Sequence, residues 1–207
     1  MAFQKTFSDQ LHALHASRTP ERVAVTLQFS NADDLPITMD QLMRGAISYA
    51  SALAKAEIQP GEVVVLILQH GEPLVYAFWG TILHGAIPSI MPFLTEKLSP
   101  ERYRADLSAL ISVTQPAAII TYPEFEAEVR SALKDGDSVR EVVVTDQVEV
   151  QPEIDFDSLS GFQRKPDDIV LLQHSSGTTG LQKGVALSHQ AVFNQLDAYS
   201  RSLELDG

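Results

Sequence analysis

The chain has 207 residues, of which 44% are hydrophobic and 20% are charged. This apolar share is enough for an ordinary packed core and excludes wholesale disorder. The 15 basic and 27 acidic residues give a formal net charge of -12, which disfavours binding to nucleic acid or anionic membranes, because Lys and Arg supply that affinity.

The sequence contains no cysteine, which excludes a disulfide framework, a thiolate metal site and a cysteine nucleophile, and which fits a reducing compartment. Residues 1–8 lack the apolar core of a signal peptide. The most apolar stretch, 63–94, is interrupted at 69–73, and its pieces are shorter than the roughly 20 residues that cross a bilayer. We therefore expect a cytoplasmic protein with no membrane span.

The first sixty residues alternate between helix-like and strand-like patterns. Ser8 can cap a short helix through Leu14, and residues 23–29 alternate like a strand with one wet face. Thr38 can cap a longer helix to about Lys55. The apolar residues of that helix recur at helical spacing: Leu42, Ala46, Tyr49, Ala50 and Leu53.

The middle of the chain predicts buried strands separated by helices. A continuous aliphatic run at 63–68 is typical of a strand that is buried on both faces in a parallel sheet. Three more strands are predicted, at 86–91, 116–121 and 142–145. The helices between them are predicted to begin at Pro-containing steps, namely Glu72-Pro73, Ser99-Pro100 and Tyr122-Pro123. This order predicts an α/β fold with a mostly parallel sheet flanked by helices.

Residues 147–168 do not continue this alternation of strands and helices. The segment has two prolines, no strong helical face and six acidic residues: Glu149, Glu153, Asp155, Asp157, Asp167 and Asp168. Such a run is typical of a solvated surface loop, and a cation site is the alternative. We therefore divide the chain into an α/β subdomain (1–146), an acidic connecting loop (147–168) and a C-terminal unit (169–207).

The segment 169–189 contains the residues that indicate a chemical function. Strands predicted at 169–172 and 185–187 enclose a loop with three glycines, several hydroxyl side chains and Lys183. Glycines let backbone N–H groups approach an anion, hydroxyls donate further hydrogen bonds and lysine adds charge, so the composition indicates phosphate binding. Neither the Walker A spacing nor the dinucleotide fingerprint fits, and the loop leads into a strand rather than a helix.

The loop resembles the phosphate-binding motif of the adenylate-forming superfamily, which includes acyl-CoA synthetases, luciferases and nonribosomal peptide adenylation domains. Eight positions match the motif: Ser176, Gly177, Thr178, Thr179, Gly180, Lys183, Gly184 and Val185. The chain differs from it at His174 (an aromatic residue in the family), Ser175 (Thr) and Gln182 (Pro). Residues 38–42 and 83–89 resemble two further family segments in the expected order, so the resemblance covers nearly the whole chain.

This resemblance implies an ATP-dependent ligase. Members of the superfamily activate a carboxylate with MgATP to give an acyl-adenylate and pyrophosphate, and a thiol then takes the acyl group. The residues implied to hold the β- and γ-phosphates lie in and beside the loop: Ser175, Ser176, Gly177, Thr178, Thr179, Gly180 and Lys183. His174 is a candidate for lining the nucleotide pocket.

The motif looks most like that of the acyl-CoA ligases, which implies a fatty or other apolar acid and CoA, or a carrier-protein thiol, as acceptor. Family members continue well beyond this length, so the chain resembles the first part of their large N-terminal domain. The resemblance implies that the main Mg²⁺ ligands, the acyl pocket and a lid domain with the catalytic lysine lie beyond Gly207. We therefore expect a truncated enzyme that is inactive alone.

Two other classes of protein are also consistent with the sequence. One is a self-contained nucleotide- or phosphate-binding module with a flavodoxin-like sheet, and the other is a non-catalytic interaction domain whose terminal hairpin docks on a protein. The remaining candidate side chains are expected to have surface or packing roles rather than to bind a ligand: His12, His15, Tyr76, Phe78, Trp79 and His189, the last at the start of a helix capped by Ser188.

Overall fold

The computed structural model describes residues 5–17, 19, 21–92, 99–151, 153–175 and 183–204. Its strands are β1 (Val23–Leu27), β2 (Leu35–Thr38), β3 (Val63–Ile67), β4 (Ile87–Ile90), β5 (Ala118–Thr121), β6 (Glu141–Val144), β7 (Ile169–Ser175) and β8 (Lys183–Ser188). Its α-helices are α1 (Phe7–Ser17), α2 (Met39–Lys55), α3 (Glu72–His84), α4 (Pro100–Thr114), α5 (Glu126–Ala132) and α6 (His189–Ser202). This succession confirms the predicted α/β fold.

A four-stranded parallel sheet lies at the centre, in the order β4-β3-β5-β6. Four consecutive side chains of β3, from Val64 to Ile67, have no exposed surface. They explain the aliphatic run, since a strand covered on both faces needs no polar alternation. If β3 is counted as the first strand, the order is 2-1-3-4, which flavodoxin-like sheets also use. Beside this sheet, β1 with β2 and β7 with β8 form two antiparallel pairs.

Helices cover both faces of the parallel sheet. Leu107 and Ile111 of α4 pack with Ile119 and other residues on one face, where α5 also lies. On the other face, Leu53 of α2 packs against the sheet together with residues of α3. The two helices α2 and α3 approach closely at Gly80, where an added Cβ would lie 2.4 Å from the carbonyl oxygen of Ala46.

Helices α2, α3 and α4 each have a capping residue at one end. Thr38 forms the predicted cap of α2, its hydroxyl accepting the Gln41 N–H while the Gln41 side chain accepts the Thr38 N–H. Helix α3 ends at Gly85, whose φ of 88° lies in the left-handed region that glycine adopts without strain. Ser99 caps α4, also as predicted.

The prediction of Ser8 as the cap of the first helix is wrong. Thr6 takes that position, because its hydroxyl accepts the Asp9 N–H at 3.2 Å and the Asp9 carboxylate accepts the Thr6 N–H at 3.0 Å. Ser8 has no acidic or amide residue three positions later to complete such a box. It lies inside α1, fully buried.

Residues 147–168 are more than the surface connection that was predicted. Their acidic side chains are mostly exposed, as expected, but Leu159 is buried and apolar neighbours of it pack against α1, α2 and α3. The neighbours are Ile154, Phe156 and Phe162. A 3-10 turn at Ser160–Gln163 brings the backbone of Gly161 so near α3 that an added Cβ would lie 2.4 Å from the Leu83 oxygen. The division of the chain at 146 and 168 stays a prediction.

Each helix in the described ranges is too short or too polar to span a bilayer.

Candidate phosphate-binding site

The site is built on the antiparallel hairpin of β7 and β8. Its register runs from Ile169 opposite Ser188 to Ser175 opposite Lys183. Both strands extend further toward the loop than predicted, so the residues on either side of positions 176–182 are paired across the ladder. The predicted phosphate ligands Ser176, Gly177, Thr178, Thr179 and Gly180 lie outside the described residues, and their role stays a prediction, as does that of Ser175 and Lys183.

His174 connects this hairpin to the parallel sheet. Its Nε2 lies 2.8 Å from the hydroxyl oxygen of Ser89, in hydrogen-bonding distance. Ser89 is fully buried on β4, and β7 lies beside this outer strand. Burial lowers the pKa of His174 below its usual range, so the ring is neutral at neutral pH. The sequence singled out His174 but not Ser89, and whether His174 also lines a nucleotide pocket stays a prediction.

The contact lies at the end of the sheet where α/β proteins bind ligands. Ser89 is the third of the four residues of β4, close to the carboxyl end of that strand. In open parallel sheets, ligands bind outside the carboxyl ends of the strands. The hairpin is therefore attached near the carboxyl end of an edge strand of the sheet.

The hairpin leads directly into α6, which begins at a buried histidine. Ser188 caps the helix by accepting the Ala191 N–H at 3.2 Å, as predicted. His189 is 2% exposed and its Nδ1 accepts the backbone N–H of Phe7 at 3.0 Å, which confirms that it packs at the helix start. Burial and the nearby charge of Arg164 lower the pKa of His189 to about 4. The sequence alone gave no signal for the contact with Phe7.

The other candidate side chains pack as expected. The rings of His12 and His15 have centroids 4.3 and 5.6 Å from that of Phe156. In the part of the chain that the structure describes, no three His, Asp or Glu side chains lie together as metal ligands would. The aromatic side chains of α3 belong to the hydrophobic clusters beneath the helix: Tyr76, Phe78 and Trp79.

A cavity of about 600 Å³ lies away from the hairpin, at the amino ends of the parallel strands. Two of its polar side chains, Arg140 and His84, already have partners. Arg140 donates to Glu62 at 3.0 Å, and Nε2 of His84 lies 2.7 Å from the oxygen of Ile58. These internal contacts leave the hairpin as the better candidate for binding an anion.

The sequence is similar to plant acid–CoA ligases. It is 33% identical over 151 residues to 4-coumarate–CoA ligase 2 of Petroselinum crispum, covering 69% of this chain and 26% of that protein. It is 31% identical over 200 residues to 4-coumarate-CoA ligase 1 of Narcissus pseudonarcissus, covering 85% of this chain and 34% of that protein. The chain thus spans about a quarter to a third of the length of the curated relatives it matches.

Solved structures share the fold. A fatty acyl-adenylate ligase from L. pneumophila, in complex with acyl adenylate and pyrophosphate, superposes with a TM-score of 0.72 at 22% identity, over 95% of this chain and 32% of that one. The McyG A-PCP structure, complexed with phenylalanyl-adenylate, superposes with a TM-score of 0.81 at 19% identity, over 99% and 31%. Residues 13–206 match the family model described as AMP-binding enzyme. The chain therefore belongs to the AMP-binding enzyme family, the adenylate-forming proteins that its glycine-rich motif resembles.

Proposed function

We propose that this chain supplies the ATP-phosphate-binding part of an adenylate-forming acid–thiol ligase. One observation carries the proposal: the β7–β8 ladder ends with Ser175 opposite Lys183, at the two borders of the family's phosphate motif. The match of residues 13–206 to the AMP-binding family supports it.

In the proposed reaction, a carboxylate oxygen attacks the α-phosphorus of ATP. The bond between the α-phosphorus and the oxygen that bridges it to the β-phosphorus breaks, and pyrophosphate leaves with the electron pair of that bond. A thiol sulfur then attacks the acyl carbon, its proton passes to solvent or a base, and AMP leaves. The chain's own part is to hold the β- and γ-phosphates before the first step and the pyrophosphate during it, by positioning and charge neutralisation.

The net charge of -12 opposes the approach of a triphosphate, so the local donors must outweigh the field of the whole chain. Bound Mg²⁺ would neutralise phosphate charge. The described residues offer no cluster of three acidic or histidine ligands for such an ion. We therefore assign no step to Mg²⁺ here and propose that it is held mainly by residues outside this chain.

We further propose a fatty or other apolar acid as substrate and CoA as acceptor. The motif supports the acid class, and the names of the plant relatives support CoA as acceptor. Since those relatives are 4-coumarate ligases, an aromatic acid is the competing substrate. In any polypeptide that contains these residues and catalyses acid-dependent exchange of pyrophosphate into ATP, faster exchange with dodecanoate than with 4-coumarate would support the fatty-acid assignment. The reverse order would overturn it.

A thermal-shift titration tests whether the chain binds phosphates. We expect pyrophosphate and MgATP to raise the melting temperature of the wild type, and Lys183→Ala to weaken apparent pyrophosphate affinity about tenfold, the effect of removing one charge-assisted contact. Lys134→Ala is the matched control, since Lys134 is exposed and precedes β6 at the opposite edge of the sheet. Equal stabilisation of wild type and Lys183→Ala would overturn the role of Lys183.

We also propose that the 207 residues alone do not adenylate an acid, because they span about a third or less of the relatives' length. A pyrophosphate-exchange assay on the purified chain, with fatty and aromatic acids, tests this. We expect no acid-dependent exchange, and clear exchange with any acid would contradict the proposal.

The sheet order favours one alternative, a self-contained nucleotide-binding module. In a flavodoxin-like sheet, the ligand lies where the strand order reverses, which here is between the ends of β3 and β5. Saturable micromolar MgATP binding that is insensitive to Lys183→Ala but lost on altering residues after β3 would support the module.

A further inference from the structure

One side-chain contact joins the hairpin to the parallel sheet across 85 positions of sequence. The hydroxyl oxygen of Ser89 on β4 and Nε2 of His174 on β7 are 2.8 Å apart. Depending on the tautomer, either the serine hydroxyl donates to Nε2 or the Nε2–H donates to the hydroxyl oxygen. The two strands belong to different sheets, so no backbone ladder joins them.

The location of Ser89 requires a partner for its hydroxyl. Ser89 has no exposed surface, and a hydroxyl buried without a hydrogen bond costs free energy that an alanine would avoid. His174 supplies that partner. Serine is therefore explained at this position by the contact with the hairpin rather than by packing within the sheet.

The imidazole of His174 lies on the side of the hairpin that faces the second strand, near Gly184. His174 lies opposite Gly184 in the ladder. A Cβ added at Gly184 would lie 3.8 Å from Cε1 and 3.9 Å from Nδ1 of the ring, which is ordinary contact distance. The ring thus lies beside β8 while its Nε2 reaches β4, and it stands one residue before Ser175 at the end of the ladder.

We propose that His174 and Ser89 form a positioning pair that holds the β7–β8 hairpin on the edge of the parallel sheet, and so sets where the strand ends that border the phosphate motif lie relative to the sheet. His174 acts through the backbone of the hairpin in this assignment and does not itself contact phosphate. The consequence for phosphate binding rests on the proposed function. The pair itself does not, because it is defined by a contact within the chain.

Three variants separate the hydrogen bond from the shape of the ring. Ser89→Ala removes the hydroxyl. His174→Gln keeps a polar terminus at the distance of Nε2 from the backbone, whereas His174→Asn keeps one only at the distance of Nδ1. Ser48→Ala is the matched control, because Ser48 is also buried and its hydroxyl donates to the Arg44 oxygen at 2.8 Å on α2.

The first measurement is independent of any ligand. We expect Ser89→Ala to change the ring ¹⁵N chemical shift of His174 and to speed amide hydrogen exchange along β7 and β8 about fivefold, the effect of one lost hydrogen bond. Ser48→Ala is expected to leave both unchanged. An unaltered His174 ring signal and unaltered hairpin exchange in Ser89→Ala would overturn the proposal.

The second measurement concerns pyrophosphate affinity of the full chain. We expect Ser89→Ala and His174→Asn each to weaken it about fivefold, and His174→Gln to retain most of it. Equal loss in Gln and Asn variants would overturn the positioning role of the Nε2 contact. If the wild type itself binds no pyrophosphate, the proposed function fails, while the exchange measurement still decides whether the pair positions the hairpin.

Discussion

The backbone N–H of Phe7 donates a hydrogen bond to Nδ1 of His189 across 182 positions of sequence, at 3.0 Å. The ring of Phe7 also stacks on Phe193, with centroids 4.5 Å apart. These contacts join the first turn of α1 to the first two turns of α6. Because α6 follows β8 directly, the N-terminal helix helps to hold the strand that leaves the phosphate motif.

This contact predicts a pH dependence of stability. Nδ1 can accept the Phe7 N–H only while it carries no proton, and burial first, then the charge of Arg164, lowers the pKa of His189 to about 4, with Asp168 and Asp9 acting in the opposite direction. The unfolded chain takes up that proton near the ordinary value of 6.5. The stabilisation is therefore fully present above about pH 6.5 and falls by roughly 3 kcal/mol as the pH drops toward 4.

Urea denaturation at pH 7 and pH 5 measures this effect. His189→Asn is the informative variant, since its side-chain oxygen can replace Nδ1 as acceptor but does not titrate. We expect the free energy of unfolding to fall more between the two pH values in the wild type than in His189→Asn. The same fall in both proteins would show that His189 does not carry the pH dependence.

The cap of α2 predicts a second effect on stability. Thr38→Ala removes the hydroxyl that accepts the Gln41 N–H, and we expect it to lower the free energy of unfolding by about 1 kcal/mol. Thr38→Ser keeps the hydroxyl and serves as the control, with a change well below that. Equal losses in the two variants, measured by urea denaturation, would argue against the capping role.

The contact between α2 and α3 predicts a third effect. At Gly80, a Cβ would lie 2.4 Å from the Ala46 oxygen and 2.6 Å from the Tyr49 Cβ, so Gly80→Ala should force the helices apart and cost about 2–3 kcal/mol. Gly71→Ala is the control, because its Cβ would meet only Pro73 at 3.5 Å and its backbone is extended. Similar melting temperatures for the two variants would contradict this account of the interface.

Local patterns of residues were sufficient to predict most of the parallel sheet and its helices. The aliphatic run of β3 indicates a strand that is buried on both faces. Thr38 and Gly85 indicate helix ends. Each of these signals depends only on neighbours in sequence. The phosphate motif was likewise visible as a resemblance. Its borders at Ser175 and Lys183 are paired in the hairpin, while positions 176–182 lie outside the described residues.

Other features depend on partners distant in sequence and could not be predicted. The cap of α1 is an exception, because the Thr6–Asp9 pair is local and its signal was present in the sequence. The partners of His174 and His189 lie 85 and 182 positions away, and only the fold brings them together. The burial of Leu159 likewise could not be predicted from the acidic composition of 147–168, because it depends on contacts with other elements.

The central claim is that the hairpin of β7 and β8 holds the phosphates of ATP. The most direct test maps ¹⁵N–¹H amide shifts of the chain during titration with pyrophosphate. We expect saturable shifts centred on 174–184, which weaken in parallel in Lys183→Ala. Saturable shifts centred instead on the residues after β3 and β5, or on the cavity beside Arg140, would contradict the claim, as would a spectrum that pyrophosphate leaves unchanged.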